Sequence, residues 1–317
     1  METEKEKQVV LFLAGPTGVG KSKIAISLAR RLKGDIISAD SMQVYRGMDI
    51  GTAKPSELDQ EKAMHHMIDI IPPSKTFSVY EFRIMALRKI QYVLSKKRLP
   101  IVVGGSGLYL RALLDGLSEH PGENELLREK LYLEAQEKGV DYLYQRLRKV
   151  DPAIAVNTAP NNLRRIVRAL EVYESSGKKL SEWHGHQQSL RDMGYAPLLV
   201  GIYKKREDLN RDLDRRVDAM FRKGLYLEVE KLSKRKLSKT AAQAVGYREI
   251  LDALEGKHDL KTAKDLIKRN TRRFAKRQMT WFRKDTEMIW LLLNEKFESR
   301  ECVDAITYLV HSKKFSP

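Results

Sequence analysis

The stretch at residues 15–22, GPTGVGKS, constrains the fold more than any other part of the chain. It follows a short apolar run at residues 9–14 and opens an amphipathic segment at residues 23–31. That order predicts a strand, a glycine-rich loop and a helix. The spacing G-x-x-x-x-G-K-S/T lets backbone N–H groups from Gly18 to Ser22 turn inward around phosphate oxygens, while Lys21 neutralises charge and the Ser22 hydroxyl can hold Mg²⁺. Gly15, Pro16, Thr17, Gly18, Val19, Gly20, Lys21 and Ser22 are therefore expected to bind a phosphate compound. The motif leaves open which compound binds and whether a phosphoryl group moves.

A chain of 317 residues with 42% hydrophobic content can bury one large α/β core plus an insertion. The 59 Lys and Arg against 42 Asp and Glu give a net charge of +17, which points to a polyanionic partner, nucleic acid above all; a generally basic solvated surface is the alternative. The lone cysteine, Cys302, excludes an intrachain disulfide framework and a cysteine zinc site, and reads as a structural thiol. The N-terminal METEKEKQ has neither signal-peptide nor transmembrane form, so the expectation is a cytoplasmic protein with no membrane contact.

Further along, DIISA at 35–39 predicts a second strand whose end brings Asp40 near bound phosphate. Residues 42–55 form an ordered connection, residues 67–71 a strand, and residues 78–96 a helix. The neighbouring His65 and His66 point apart and are poor joint metal ligands. LPIVV at 99–103 is a buried parallel strand ending in a second glycine-rich turn, Gly104-Gly105-Ser106-Gly107. The texture turns helical at about 115–195, with helices expected at 125–139, 141–150, 162–175 and 179–183. APLLVGIY at 196–203 then restores a strand. Residues 206–233 read as one long helical pattern, 240–254 as a helix started or bent at Gly246, 288–293 as a strand and 298–310 as a last helix. On a wheel for residues 261–284, Ile267, Phe274 and Trp281 form an apolar stripe. Lys268, Arg272, Lys276 and Arg283 lie opposite, flanked by Arg269, Arg273, Arg277 and Lys284, with few acids at i±4.

The fold expected is α/β: a P-loop NTPase-like core with a parallel sheet flanked by helices, at residues 1–115 and 196–317, plus an all-helical insertion domain at 116–195. A small-molecule kinase is the first chemistry that this start suggests. Against it, the strand at 101–103 runs into glycines where an NTPase usually has its metal-binding Asp, which leaves Asp40 as the well-placed carboxylate.

The segments DSMQVYRGMDIGTAKP (40–55), HHMIDI (65–70), VGGSGLYL (103–110), NNLRRIVRALE (161–171), AVGYRE (244–249) and RRFAKRQMTWFR (272–283) resemble the tRNA dimethylallyltransferase family, bacterial type. The resemblance covers most of the chain. It implies transfer of a dimethylallyl group from dimethylallyl diphosphate to N6 of the adenosine 3′ of a tRNA anticodon, with Mg²⁺ as cofactor. It further implies Asp40 as general base, Ser106 as a partner of the transfer site in place of the usual threonine, and Arg216 on the diphosphate, with Lys21 completing the catalytic set. By the same resemblance, Asp40, Ser41, Met42, Gln43 and Ser106 meet the target base region. Arg128, Arg164, Arg165, Ile166, Val167 and Arg168 in the insertion, with Gly246, Tyr247, Arg248, Lys276 and Arg277, extend the tRNA surface. Ala159 stands where the family often has His, and Asp212 where it often has a basic residue. No zinc-finger extension is present, so no structural metal is expected, and a monomer is the expected state. A prenyltransferase of free adenine nucleotides and a non-catalytic RNA-binding P-loop protein are the other readings. Neither the nucleotide prenyltransferase nor a kinase needs the basic arc.

Overall fold

The computed structural model describes residues 7–117, 121–185, 188–294 and 299–313. The chain divides into two compact units: Met1–Leu114 with Leu190–Pro317, and Asp115–Ser189. The first unit begins with β1 (Gln8–Ala14), α1 (Lys21–Arg31), β2 (Gly34–Ser38), α2 (Glu57–Lys62), β3 (His65–His66), α3 (Val79–Ser95), β4 (Leu99–Gly104) and α4 (Gly107–Leu114). The second unit holds α5 (Glu125–Lys138), α6 (Val140–Val150), α7 (Pro152–Val156), α8 (Leu163–Ser176) and a 3₁₀ turn, Leu180–Gly185. The chain then returns through β5 (Tyr195–Tyr203), α9 (Arg206–Arg222), α10 (Leu225–Ser233), α11 (Lys239–Ala242), α12 (Tyr247–Leu254), α13 (Leu260–Phe282), β6 (Ile289–Leu292) and α14 (Ser299–Ser312). The return comes earlier than the sequence suggested: Leu190 is buried in the core of the first unit and its N–H donates to Leu114 O at 2.9 Å.

The six strands form one parallel sheet in the order β3-β2-β4-β1-β5-β6. β1 lies inside it, with Leu11 opposite Ile101 on one side and Leu198 on the other. Because strand side chains alternate, Val10, Phe12 and Ala14 enter one core, while Val9, Leu11 and Leu13 enter the core on the opposite face. This double burial is why β1 reads as a continuous apolar run. α1 and α14 cover the second core through Ile24, Leu28, Cys302 and Ile306. Burial pushes the Cys302 thiol up to about 12, which makes it an inert packing residue.

Three sequence expectations change in the folded chain. The strand expected at 67–71 does not form: β3 lies just before it, at His65–His66, and of the expected range only Ile71 makes an isolated bridge, to Tyr45, because Met67 and Asp69 take left-handed φ values of 66° and 53°. The pattern at 206–233 breaks into α9 and α10 at Gly224, whose φ of 94° no helix continues through. α7 was not anticipated; Pro152 occupies its first turn and the Asp151 side chain caps it at Ile154 N. The start of the last helix at Glu298 and the N-terminal METEKE lie outside the described residues.

Candidate active site

The carboxyl ends of β1, β2 and β4 lie side by side, so the turns that follow them open into one cleft of about 270 Å³. Its wall includes Thr17, Gly18, Gly20, Lys21 and Ser22 from the loop after β1, Asp40 and Gln43 after β2, and Gly104 and Gly105 after β4. α9 contributes Asp212 and Arg216, and α13 contributes Phe274 and Gln278.

The loop after β1 is shaped by close approaches. Gly15 has φ 145° and a Cβ there would meet Ile202 O at 2.3 Å; Gly18, at φ 79°, lies against Leu213 of α9. Lys21 opens α1 and folds back, donating from Nζ to Gly15 O at 2.9 Å and Pro16 O at 2.8 Å. Its stem is half-buried but its ammonium is enclosed, and desolvation pushes its pKa down to about 7 against the opposing pull of Asp40. Burial likewise lowers the Arg216 pKa from its ordinary value, with the Asp40 charge opposing that shift. Two desolvated cations, Lys21 and Arg216, thus share the cleft with the Asp40 carboxylate, whose charge opposes the shift of both.

Asp40 ends β2 in a local turn: its Oδ1 accepts Met42 N at 2.8 Å and Gln43 N at 3.3 Å. Among the described residues no donor reaches Oδ2. Ser41 N donates to Ser106 Oγ at 3.2 Å, which ties this turn to the one after β4. Gln43 accepts from Ser38 Oγ at 3.0 Å, while Met42 packs against the core. The glycines flanking Ser106 meet a steric need. A Cβ at Gly104 would strike Ala39 O, at Gly105 the Gln278 amide, and at Gly107 the Trp281 ring.

The other residues expected to meet tRNA divide by exposure. Arg248, Lys276 and Arg277 are exposed. Gly246 caps α12 at φ 98°, and Tyr247 is buried. In the insertion Arg164 and Arg165 are exposed, but Ile166 and Val167 are 0% and 1% exposed and fill that unit's core. Arg128 and Arg168 donate to the buried Glu171 at 3.0 and 2.7 Å, so their charge is partly spent inside the unit. Asp212, the unusual acid, pairs with Lys204 and Arg215 at 2.7 Å each, and Ala159 is exposed.

α13 also differs from its wheel. Its buried residues are Ala263, Ile267, Ala275, Gln278 and Phe282, while Phe274 lines the cleft. Part of its basic arc is neutralised from α9, Lys264 and Lys268 by Asp218 and Arg272 by Asp214. An i±4 search within one helix cannot find such partners. Arg269, Arg273, Lys276 and Arg283 still line a second cleft of about 370 Å³ with Lys204 and Arg206. Sequence reasoning missed Gln278, whose partners are Thr17 and Gly105.

Oxygen donors suit a hard cation, and the exposed Ser22 hydroxyl shares the cleft with the Asp40 carboxylate, so these residues fit Mg²⁺ held mainly by substrate phosphate and water. Among the described residues no group of three or more His, Cys, Asp or Glu could hold a metal by itself, His65 and His66 included.

A family model for IPP transferase matches residues 43–285, and one for Isopentenyl transferase matches residues 8–70. The chain is 44% identical over 292 residues to a tRNA dimethylallyltransferase of Halothermothrix orenii, covering 91% of this chain and 89% of that one. It matches the solved full-length tRNA isopentenylpyrophosphate transferase of Bacillus halodurans with TM-score 0.71 and 37% identity, over 98% of each chain. A eukaryotic dimethylallyltransferase solved acting on tRNA matches with TM-score 0.79 and 30% identity, over 96% of this chain and 78% of the other. The parallel sheet, the phosphate loop and the cleft built at its strand ends are therefore those of a P-loop-like prenyl transferase, and the chain belongs to the tRNA dimethylallyltransferase family.

Proposed function

We propose that this chain transfers the dimethylallyl group of dimethylallyl diphosphate to N6 of the adenosine 3′ of the anticodon in tRNA, releasing diphosphate. The observation that carries the reading is the convergence of Lys21, Arg216 and Asp40 on one cleft whose floor is a phosphate loop. The diphosphate occupies the loop, and Lys21 exchanges the carbonyls of Gly15 and Pro16 for phosphate oxygens. Arg216 and Lys21 then stabilise the charge that builds as the C1–O bond breaks, and desolvation strengthens that effect. N6 attacks C1 of the dimethylallyl group, and Asp40 accepts the proton that N6 loses. An ordinary carboxylate suffices because the nitrogen becomes acidic as the new C–N bond forms.

Mg²⁺, held by Ser22 and the diphosphate, supplies further neutralisation of the leaving group when bound. Ser41, Met42, Gln43 and Ser106 border the position of the flipped adenine, and an unpaired loop base costs less to unstack than one in a duplex. Arg164 and Arg165 of the insertion, and Arg248, Lys276 and Arg277 of the first unit, all exposed, supply contacts to the RNA backbone, and Arg128 and Arg168 add to those of the insertion. Ile166, Val167 and Tyr247 serve it only through the helices they hold, and Gly246 through its backbone. The protein acts as a cytoplasmic monomer. Among the described residues no helix is long and apolar enough to cross a membrane.

Single-turnover transfer from labelled dimethylallyl diphosphate to an anticodon stem-loop, beside free AMP and ATP and with or without Mg²⁺, tests the proposal. Label on the stem-loop N6 alone supports it. Label on free nucleotide makes the chain a nucleotide prenyltransferase, and ATP consumption without label makes it a kinase.

A further inference from the structure

Gln278 is buried on α13, and its carboxamide spans two turns that lie far from it in sequence. Oε1 accepts the Thr17 N–H of the phosphate loop at 2.9 Å, and Nε2 donates to Gly105 O, one residue before Ser106, at 2.8 Å. The partners fix the amide orientation, since Thr17 N can only donate and Gly105 O can only accept. Gly105 leaves no room for a Cβ beside Gln278, and Trp281, one helical turn on, packs its ring where a Gly107 Cβ would be. α13 therefore grips the glycine turn on both sides of Ser106. β1 and β4 are in register as far as Ala14 and Gly104. Beyond those residues the sheet no longer sets the separation of the two turns, and the Gln278 amide connects them directly.

We propose that Gln278 is a positioning residue that fixes the distance between the loop holding the leaving diphosphate and the turn holding the target base. The inference rests on the transfer reaction proposed above. Displacement at C1 needs the entering nitrogen and the leaving oxygen in line, and a misplacement of about 1 Å costs on the order of 100-fold in rate. Thr17 lies on the leaving-group side of that line and Ser106 on the nucleophile side. At neutral pH the amide supplies one acceptor and one donor together. Leucine supplies neither, and an ionised glutamate supplies the acceptor alone and brings negative charge to the phosphate loop.

The test uses the full chain carrying Gln278→Leu or Gln278→Glu, with thermal unfolding, stem-loop affinity and single-turnover transfer measured for each. Gln278→Leu is expected to unfold in one transition and bind the stem-loop within about twofold of the parent protein, while its saturating transfer rate falls about 10- to 100-fold. Gln278→Glu is expected to raise the KM for dimethylallyl diphosphate at neutral pH. As pH falls and the new carboxyl takes a proton, it regains an O–H donor for Gly105 O beside a carbonyl for Thr17 N–H, so the ratio of its rate to that of the parent rises. The other charged or titratable groups of the cleft, Lys21, Lys23, Asp40, His65, Asp212 and Arg216, are present in both proteins. Because a new carboxylate beside the loop raises the Lys21 pKa, the ratio is read at saturating dimethylallyl diphosphate, where the bound diphosphate already holds that proton. A parent-like rate in a folded Gln278→Leu protein, or a ratio flat in pH, overturns the positioning role. If the Leu variant does not fold, the pH ratio of the Glu variant alone decides. Absence of transfer by the parent protein overturns the reaction, which is a separate outcome.

Discussion

The Tyr247 hydroxyl donates to Glu228 at 2.6 Å, and the same carboxylate accepts the backbone N–H groups of Asp49, Ile50 and Gly51 at 3.0, 2.8 and 3.2 Å. One acid thus fastens the connection that leaves Asp40 onto α10 and α12. Burial and then the Glu228 charge raise the Tyr247 pKa, so the phenol stays a donor. Gly51 is a glycine because any Cβ there would enter the Tyr247 ring. Glu228→Ala strands several backbone donors and is expected to cost about 2–3 kcal/mol, against about 1 kcal/mol for Tyr247→Phe, which removes a single hydrogen bond. Urea denaturation checks the order; equal losses in the two variants would mean that the carboxylate does not hold the loop.

Asp40→Asn keeps the size of the side chain and its acceptor for Met42 N, but removes the carboxylate proposed to take the N6 proton. Stem-loop binding is expected to persist while transfer falls by about 10²- to 10⁴-fold, the usual worth of a positioned base. Filter binding and single-turnover rates on the same preparation separate the two effects. Unchanged transfer would remove Asp40 from proton transfer.

In the proposed reaction Lys21 couples diphosphate binding to pH. With its pKa down to about 7 in the folded protein, the ammonium needed by the diphosphate is lost as pH rises through 7, so the KM for dimethylallyl diphosphate should climb above neutrality. kcat should change less, since bound diphosphate holds the proton on Lys21. Stability moves the other way. The unfolded chain, with an ordinary lysine pKa of 10.5, binds more protons than the folded one between about 7 and 10.5, so this group's penalty is fully present below 7 and disappears across that window. Lys21→Met removes the penalty. Its Tm at pH 6 should exceed that of the parent, with about 1 kcal/mol corresponding to about 2–4 °C, and the gap should narrow toward pH 10 even though transfer is lost.

Much of this site was legible locally, and the rest was not for identifiable reasons. Lys21 and Ser22 follow from a motif whose strand, loop and helix are contiguous, and Asp40 from its place at the end of β2. Ser106 and Arg216 came from family resemblance, because nothing in a glycine turn or a charged helix marks a site by itself. Gln278 left no local signal: its partners are 261 and 173 residues away, and a buried amide looks like any polar gap in a helical pattern. Phe274 kept the period of a core residue yet lines the cleft. Met67 and Asp69 sit in an apolar run that their left-handed backbone prevents from pairing as a strand.

The RNA contacts proposed for the insertion can be separated from its packing within one helix. In α8, Arg164 and Arg165 are exposed, whereas Ile166 is 0% exposed in that unit's core. If Arg165 contacts phosphate as proposed, Arg165→Ala should weaken stem-loop binding while lowering the slope of log K against log salt by about 1, with little change in Tm. Ile166→Ala opens a cavity and should cost about 2–5 kcal/mol of stability. Its loss of tRNA affinity should appear only as the insertion unfolds, so at a temperature where the unit is folded the salt slope stays that of the parent. An Ile166→Ala protein that is fully folded and shows a reduced salt slope would place this residue in the RNA interface itself. An Arg165→Ala protein with a parental slope would remove α8 from the phosphate contacts.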